Sequence, residues 1–319
     1  MATSPTPITG LTRSLVSVTD VLHFTGGLRA VRGPGGWQVG PLSPDGTGAI
    51  RGVPEGHIQA LGISLGLVLF GGEEITSTDP NLPARIWTPL LGQPRLAHAA
   101  NDSWAMISSS ARAAGLQLRN ASDEYNKQLE AALARGQQVG TRFSNLAMDD
   151  LHLAFHALLS EMGSARDYLA RVARLRVNAP DNIDALARLR QWTERPVNSA
   201  ALSDALVQRL LQDSDETAAD PWLRDIGEYR NLFLHREHIG AMARWLVVEE
   251  RHTPSGPVRA IAMAINTRPG ADTTCDALAR FVDLHARLCR LADFAVQLAP
   301  YDATPPAFST AATPNLPLG

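Results

Sequence analysis

From residue 96 onward, apolar positions recur at helical spacing; before it they do not. Leu151, Phe155, Leu158, Met162, Ala165, Leu169 and Val172 alternate steps of four and three. That spacing predicts a helix over 150–176 with one continuous apolar seam, capped by Asp149 or Asp150. Residues 97–135 predict one long helix or two, with Gly115 as the weak point. Shorter helices follow at 181–194, between an Asp181 cap and a Pro196 stop, and at 199–212. Asp220-Pro221 is a strong start signal, because proline at the first helical position loses no hydrogen bond. Trp222, Ile226, Tyr229 and Phe233 then give an apolar face to a helix expected to reach about Met242. The period next changes to two. Residues 245–249 and 258–265 alternate around Thr-Pro-Ser-Gly-Pro, a β-hairpin set between helices. A last helix, 273–298, carries Leu278, Phe281, Leu284, Leu288, Leu291 and Phe294.

More than half of the 25 glycines and 21 prolines lie in residues 1–95. Such density predicts an irregular N-terminal region with a few short elements, at 13–24, 37–39 (a strand) and 57–70. Residues 300–319 read as an extended, proline-containing tail. The fold class expected is therefore mainly α: a helical domain over 96–299 with a small inserted hairpin.

Composition narrows the function. With 29 basic against 32 acidic residues, the formal charge of −3 excludes a globally basic nucleic-acid coat, so any nucleic-acid site must be local. Cys275 and Cys289 stand 14 residues apart in a helical pattern, about 21 Å along the axis and too far to bridge. Two cysteines without a framework, and a start (MATSPTPITG) without a basic-then-apolar leader, point to a cytoplasmic protein. The most apolar window, 58–70, is too short to span a bilayer, so no membrane partner is expected.

Candidate chemistry concentrates in one stretch, Asp225-Ile-Gly-Glu-Tyr-Arg-Asn-Leu-Phe-Leu-His-Arg236. Arg230 supplies a permanent cationic fork suited to phosphate oxygens, and His235 titrates near neutral pH. Those two groups suffice for metal-free RNA cleavage. The base deprotonates a ribose 2′-OH, which attacks the adjacent phosphorus while the guanidinium stabilises the developing charge. Asn231 shares a helix face with His235, four residues on, whereas Arg230 lies about 140° around from His235. An ideal helix alone does not make the pair converge; a long reach, a distorted turn or a second copy across a dimer would. Tyr229, Arg236 and, on the helix at 150–176, Glu161 are the substrate-contacting candidates, with Asp167 another polar position that can line a cleft. The competing structural reading has Asn231 and His235 satisfying bonds inside a bundle and Arg230 paired with Glu228 or Asp225.

The stretch Tyr-Arg-Asn-Leu-Phe-Leu-His-Arg resembles the HEPN family, marked by Arg, four to six residues, then His, often with a polar residue directly after the Arg. About two such bare spacings are expected by chance in a chain this rich in Arg. Arg51–His57, Arg230–His235 and Arg280–His285 all have it, but only Arg230 is followed by a polar residue, Asn231. The resemblance covers about 148–299. It implies an all-α domain that dimerises so that two motifs face one cleft, and a metal-independent endoribonuclease with Arg230, Asn231 and His235 as catalytic residues. It calls for RNA as substrate, no cofactor, and, in toxin or antiviral-defence members, an antitoxin or defence partner. Other members are non-catalytic modules that bind nucleotides or proteins, which is the alternative reading here. His235 with His238, and His152 with His156, have the spacing of metal pairs but no further ligands at hand, so no metal site is expected. The length of the 150–176 seam favours a homodimer, unless the 97–135 helix covers it.

Overall fold

The computed structural model describes residues 20–33, 36–40, 51–53, 67–68, 102–235, 244–253 and 256–298. They form a mainly helical structure with antiparallel sheets. Helix α1 (Asp102–Ala134) is unbroken. Gly115 does not divide it, because Ile107, Ala111, Ala114, Leu118, Ala121, Tyr125 and Leu129 form a buried stripe on either side of it. Packing of that stripe outweighs the cost of one helical glycine, about 1 kcal/mol. α1 lies along α2 (Met148–Arg176) more extensively than any other two elements meet. The seven predicted seam positions of α2 are all buried within the chain, where α2 packs chiefly on α1 and also on α5 and α6. The seam therefore gives no argument for a second copy.

Helix starts differ from expectation where backbone groups replace side-chain caps. α2 follows Ala147, which offers no side-chain cap. The carbonyls of Asn145 and Leu146 take the N–H groups of Met148 and Asp149, so Asp149 and Asp150 sit in the first turn and favour the helix dipole instead. Asp181 pairs with Arg174 rather than capping, and α3 (Leu186–Thr193) begins later. The region expected as one helix at 199–212 is a 3₁₀ turn (Pro196–Ser203) and α4 (Ala205–Asp213), divided by Asp204, whose carboxylate caps α4 through Leu206 and Val207 N–H. In α5 (Trp222–His235) the Pro221 carbonyl accepts from Arg224 and Asp225, while Asp220 is held by Arg287. The expected continuation of α5 to Met242 lies outside the described residues.

Strands β1 (Asp20–Phe24), β2 (Arg29–Gly33), β3 (Gly36–Gly40), β4 (Arg51–Val53) and β5 (Leu67–Val68) pair antiparallel in the order β4-β3-β2-β1-β5. These short strands are what the structure describes of the region expected to be irregular with a few short elements; the expected 37–39 strand is part of β3. Gly33, Gly36, Gly40 and Gly52 lie within these strands, and Gly26 and Gly27 form the turn between β1 and β2. The Thr25-Gly26-Gly27 turn presses on α1, with positive φ at both glycines, and a β-carbon at Gly27 would strike the Tyr125 carbonyl. Asn126 donates to the Gly27 carbonyl at 2.7 Å, and Phe24, Leu28 and Ala30 are buried in the common core. Of the other short elements expected there, 13–19 and most of 57–70 lie outside the described residues, as does the 300–319 tail.

The expected hairpin is the centre of a second sheet. β6 (Arg142–Phe143), β7 (Leu246–Thr253), β8 (Gly256–Asn266) and β9 (Thr274–Asp276) run antiparallel in that order. Cys275 is consequently on a strand and not on the last helix, α6 (Ala277–Gln297); both cysteines are free. Edge-on rings join four helices at the core. Tyr125 meets Phe155 at 6.3 Å, Phe155 meets Phe281 at 5.0 Å, and Tyr229 meets Phe281 at 5.6 Å. No helix among the described residues is long and apolar enough to cross a membrane.

Candidate active site on helix α5

α2 and α5 cross as an antiparallel pair: His156 faces Phe233, Gly163 lies under Arg230, and Arg166 lies over Gly227. Apolar Ile226, Tyr229 and Phe233 turn inward, which leaves the intervening polar residues at the rim. The two glycines make the crossing possible. A β-carbon at Gly163 would collide with Arg230 Cδ, and one at Gly227 with the Arg166 guanidinium. Each helix thus accepts an arginine from the other across a position without a side chain.

Asp167 stands between the two arginines. Its Oδ1 accepts from Arg166 Nε and Nη2 at 3.2 and 3.1 Å and from the Leu186 N–H at 3.4 Å. Its Oδ2 lies 4.0 Å from Arg230 Nη1, a loose pair. Arg230 Nε is buried with no hydrogen-bond partner among the described residues, and about a third of the side chain remains exposed. The guanidinium is accordingly oriented but not saturated. Neither partner suggested by the competing structural reading takes Arg230: Glu228 pairs with Arg224, and Asp225 with Arg268 and Arg280.

Asn231 and His235 are exposed on α5, and His235 ends it. Among the described residues no hydrogen bond or ion pair joins Arg230 to His235: Arg230 lies across Gly163 on α2, and His235 is exposed at the end of α5. Tyr229 is not a surface for a base. It is 1% exposed, its hydroxyl donates to the Asn266 carbonyl at 2.5 Å, and burial pushes the phenol pKa well up. Its spacing with Ile226 and Phe233 places it in the core. Glu161 is half-buried, about 160° around α2 from Gly163, and forms no ion pair with Arg230. Arg236 lies outside the described residues.

Sequence reasoning missed Gly163, Arg166 and Gly227, whose only signal is a small residue at each end of the crossing. It also missed the triad beneath the site. Asp225 is wholly buried and accepts from Arg268 Nε at 3.2 Å and Arg280 Nη2 at 2.8 Å. This pair of contacts ties α5 to α6 and to the β8–β9 connection. The His285 imidazole donates to the Ala111 carbonyl at 3.1 Å, with Cys289 Sγ 3.7 Å away. Burial drives that thiol up to about 12 and the imidazole down, the reverse of an activated thiolate–imidazolium pair. Among the described residues no three His, Cys, Asp or Glu side chains are grouped to hold a metal; His238 lies outside them.

Comparison of the chain with protein-family models, with curated proteins and with solved structures returns no match.

Proposed function

We propose that this protein is a metal-independent endoribonuclease of the HEPN type, acting as a homodimer in which Arg230 of one copy and His235 of the other share a phosphodiester. The observation that carries the reading is the state of Arg230: held across Gly163, 4.0 Å from Asp167, with donor capacity left over. A guanidinium with N–H capacity left over and about a third of its side chain open to solvent can serve a phosphate oxygen. His235 takes the 2′-OH proton, the 2′-oxygen bonds to phosphorus as the P–O5′ bond breaks, and Arg230 and Asn231 hold the phosphate through its charge build-up. The proton passes from His235 to the departing 5′-oxygen, which leaves a 2′,3′-cyclic phosphate on one product and a 5′-OH on the other. Leu153 and Leu234 are exposed at the end of the α2–α5 pair that carries His235, apolar area suited to contact with a second copy.

Mixing tests this. His235→Ala and Arg230→Ala homodimers are expected to lose cleavage of single-stranded RNA in EDTA while keeping their fold. Unfolded and refolded together in equal amounts, they should recover about a quarter of wild-type activity. Half of the dimers are then mixed, each with one intact composite site. No recovery, with mixed dimers demonstrated, overturns the shared site; cleavage by the His235→Ala homodimer overturns the mechanism.

A further inference from the structure

At the other end of α5 from His235, about 20 Å away along the helix, Trp222 closes the floor of a groove of about 390 Å³ between α4 and α6. Three arginines line it, Arg209 from α4 and Arg287 and Arg290 from α6, together with Leu291 and Phe294. We infer that this groove binds a nucleotide, its phosphate on the arginines and its base against Phe294.

The disposition of charge supports that class of ligand. Arg209 is paired with Asp213 through Nε alone, at 2.7 Å. Arg287 is paired with Asp283 through Nε, at 3.1 Å, and with Asp220 through Nη1. These carboxylates fix the planes of two guanidinium groups and leave both Nη groups of Arg209 and Nη2 of Arg287 without a partner among the described residues. Arg290 is exposed and forms no ion pair among the described residues. Pre-oriented forks of this kind match phosphate oxygens, which accept two N–H groups at once. Trp222 and Leu291 are buried beneath, while the half-buried Phe294 ring stands at the wall. An inorganic anion would gain nothing from that ring, whereas a base can stack on it. The required chemistry, phosphate plus base, occurs both in a free nucleotide and in one residue of a single RNA strand.

The inference is independent of chemistry at His235, and its test reads binding without cleavage. Isothermal titration of the full chain at low salt would use AMP, adenosine, inorganic phosphate and a short 2′-O-methyl oligoadenylate, which lacks the attacking hydroxyl. AMP is expected to bind at least about tenfold more tightly than phosphate or adenosine. Arg290→Glu, at an exposed position, should weaken AMP at least about tenfold with the thermal melt unchanged, and Phe294→Ala should erase the preference for AMP over phosphate. An oligoadenylate that binds more tightly than AMP and loses that affinity with Arg290→Glu identifies a strand of RNA as the occupant of this groove; one whose binding is indifferent to Arg290→Glu, with AMP still sensitive to it, identifies a free nucleotide. Phosphate binding as well as AMP, or AMP binding that is indifferent to Arg290→Glu, overturns the site.

Discussion

Arg230 Cδ fills the space that a β-carbon on residue 163 would occupy. Gly163→Ala therefore sets two effects against each other. Helix propensity improves by about 1 kcal/mol, and the arginine has to swing out from α2 and away from Asp167. Because the side chain is already partly exposed, the expected net change in stability is within about 1 kcal/mol. RNA cleavage is expected to fall at least about tenfold, since a guanidinium displaced by an ångström loses its alignment. Urea denaturation and initial cleavage rates on one preparation check both halves. Undiminished cleavage would separate the Arg230 orientation from activity.

Asp225 is a second point of leverage. It is fully buried between Arg268 and Arg280, and its loss leaves two cations facing an emptied acceptor. Asp225→Ala should cost about 3 kcal/mol or more, as removal of one member of a buried ion pair does. Chemical denaturation measures this. A loss under 1 kcal/mol would mean that solvent reaches the triad.

Asp276 joins three elements through one carboxylate. It caps α6 by accepting from Ala279 N–H at 3.1 Å, takes the Met263 N–H at 3.0 Å, and takes the Tyr125 hydroxyl at 3.0 Å. Alanine there removes a cap worth about 1 kcal/mol and strands two buried donors at about 1–3 kcal/mol each. Asparagine keeps one oxygen and removes the buried charge, so Asp276→Asn is expected to lose well under half of what Asp276→Ala loses. Thermal melts of the two variants compare them directly.

Asp293 provides a pH signature. Burial raises its carboxyl to about 6, and its Oδ1 has no hydrogen-bond partner among the described residues. Its ordinary, unfolded value is near 4. The folded chain thus binds the proton more tightly than the unfolded chain, and this contribution to stability is complete below about pH 4 and lost as pH rises through 6. With residual solvent contact discounted, the amount is about 1 kcal/mol. Asp293→Asn should flatten that segment of the stability–pH curve and raise stability at pH 7. A curve identical to wild type would show that the carboxylate is ionised without penalty.

Much of the helical frame was legible beforehand. The seam from Leu151 to Val172, the face of Trp222, Ile226, Tyr229 and Phe233, and the alternation around the Thr-Pro-Ser-Gly-Pro turn follow from burial period alone, and each is found where its period places it. Caps were less legible, because a turn carbonyl satisfies an N–H as well as an aspartate does, and nothing in residue type distinguishes Asp204, which caps, from Asp181, which pairs with an arginine. The N-terminal strands were hidden by their glycines, which read alike in loops and within short strands.

Residue order by itself determined which faces of α2, α5 and α6 turn inward, since a 3.6-residue period decides that locally, and it marked Arg230, Asn231 and His235 as the polar interruption of an apolar helix. Only the tertiary structure decided which partner each charge meets. Arg230 goes to Asp167 rather than Asp225, Tyr229 goes to the core, and the seam of α2 goes chiefly to α1. Such pairings depend on how far two helices approach, and at α2–α5 that distance is set by glycines on both sides of the crossing. The glycines lie 64 residues apart in sequence, where no local pattern relates them.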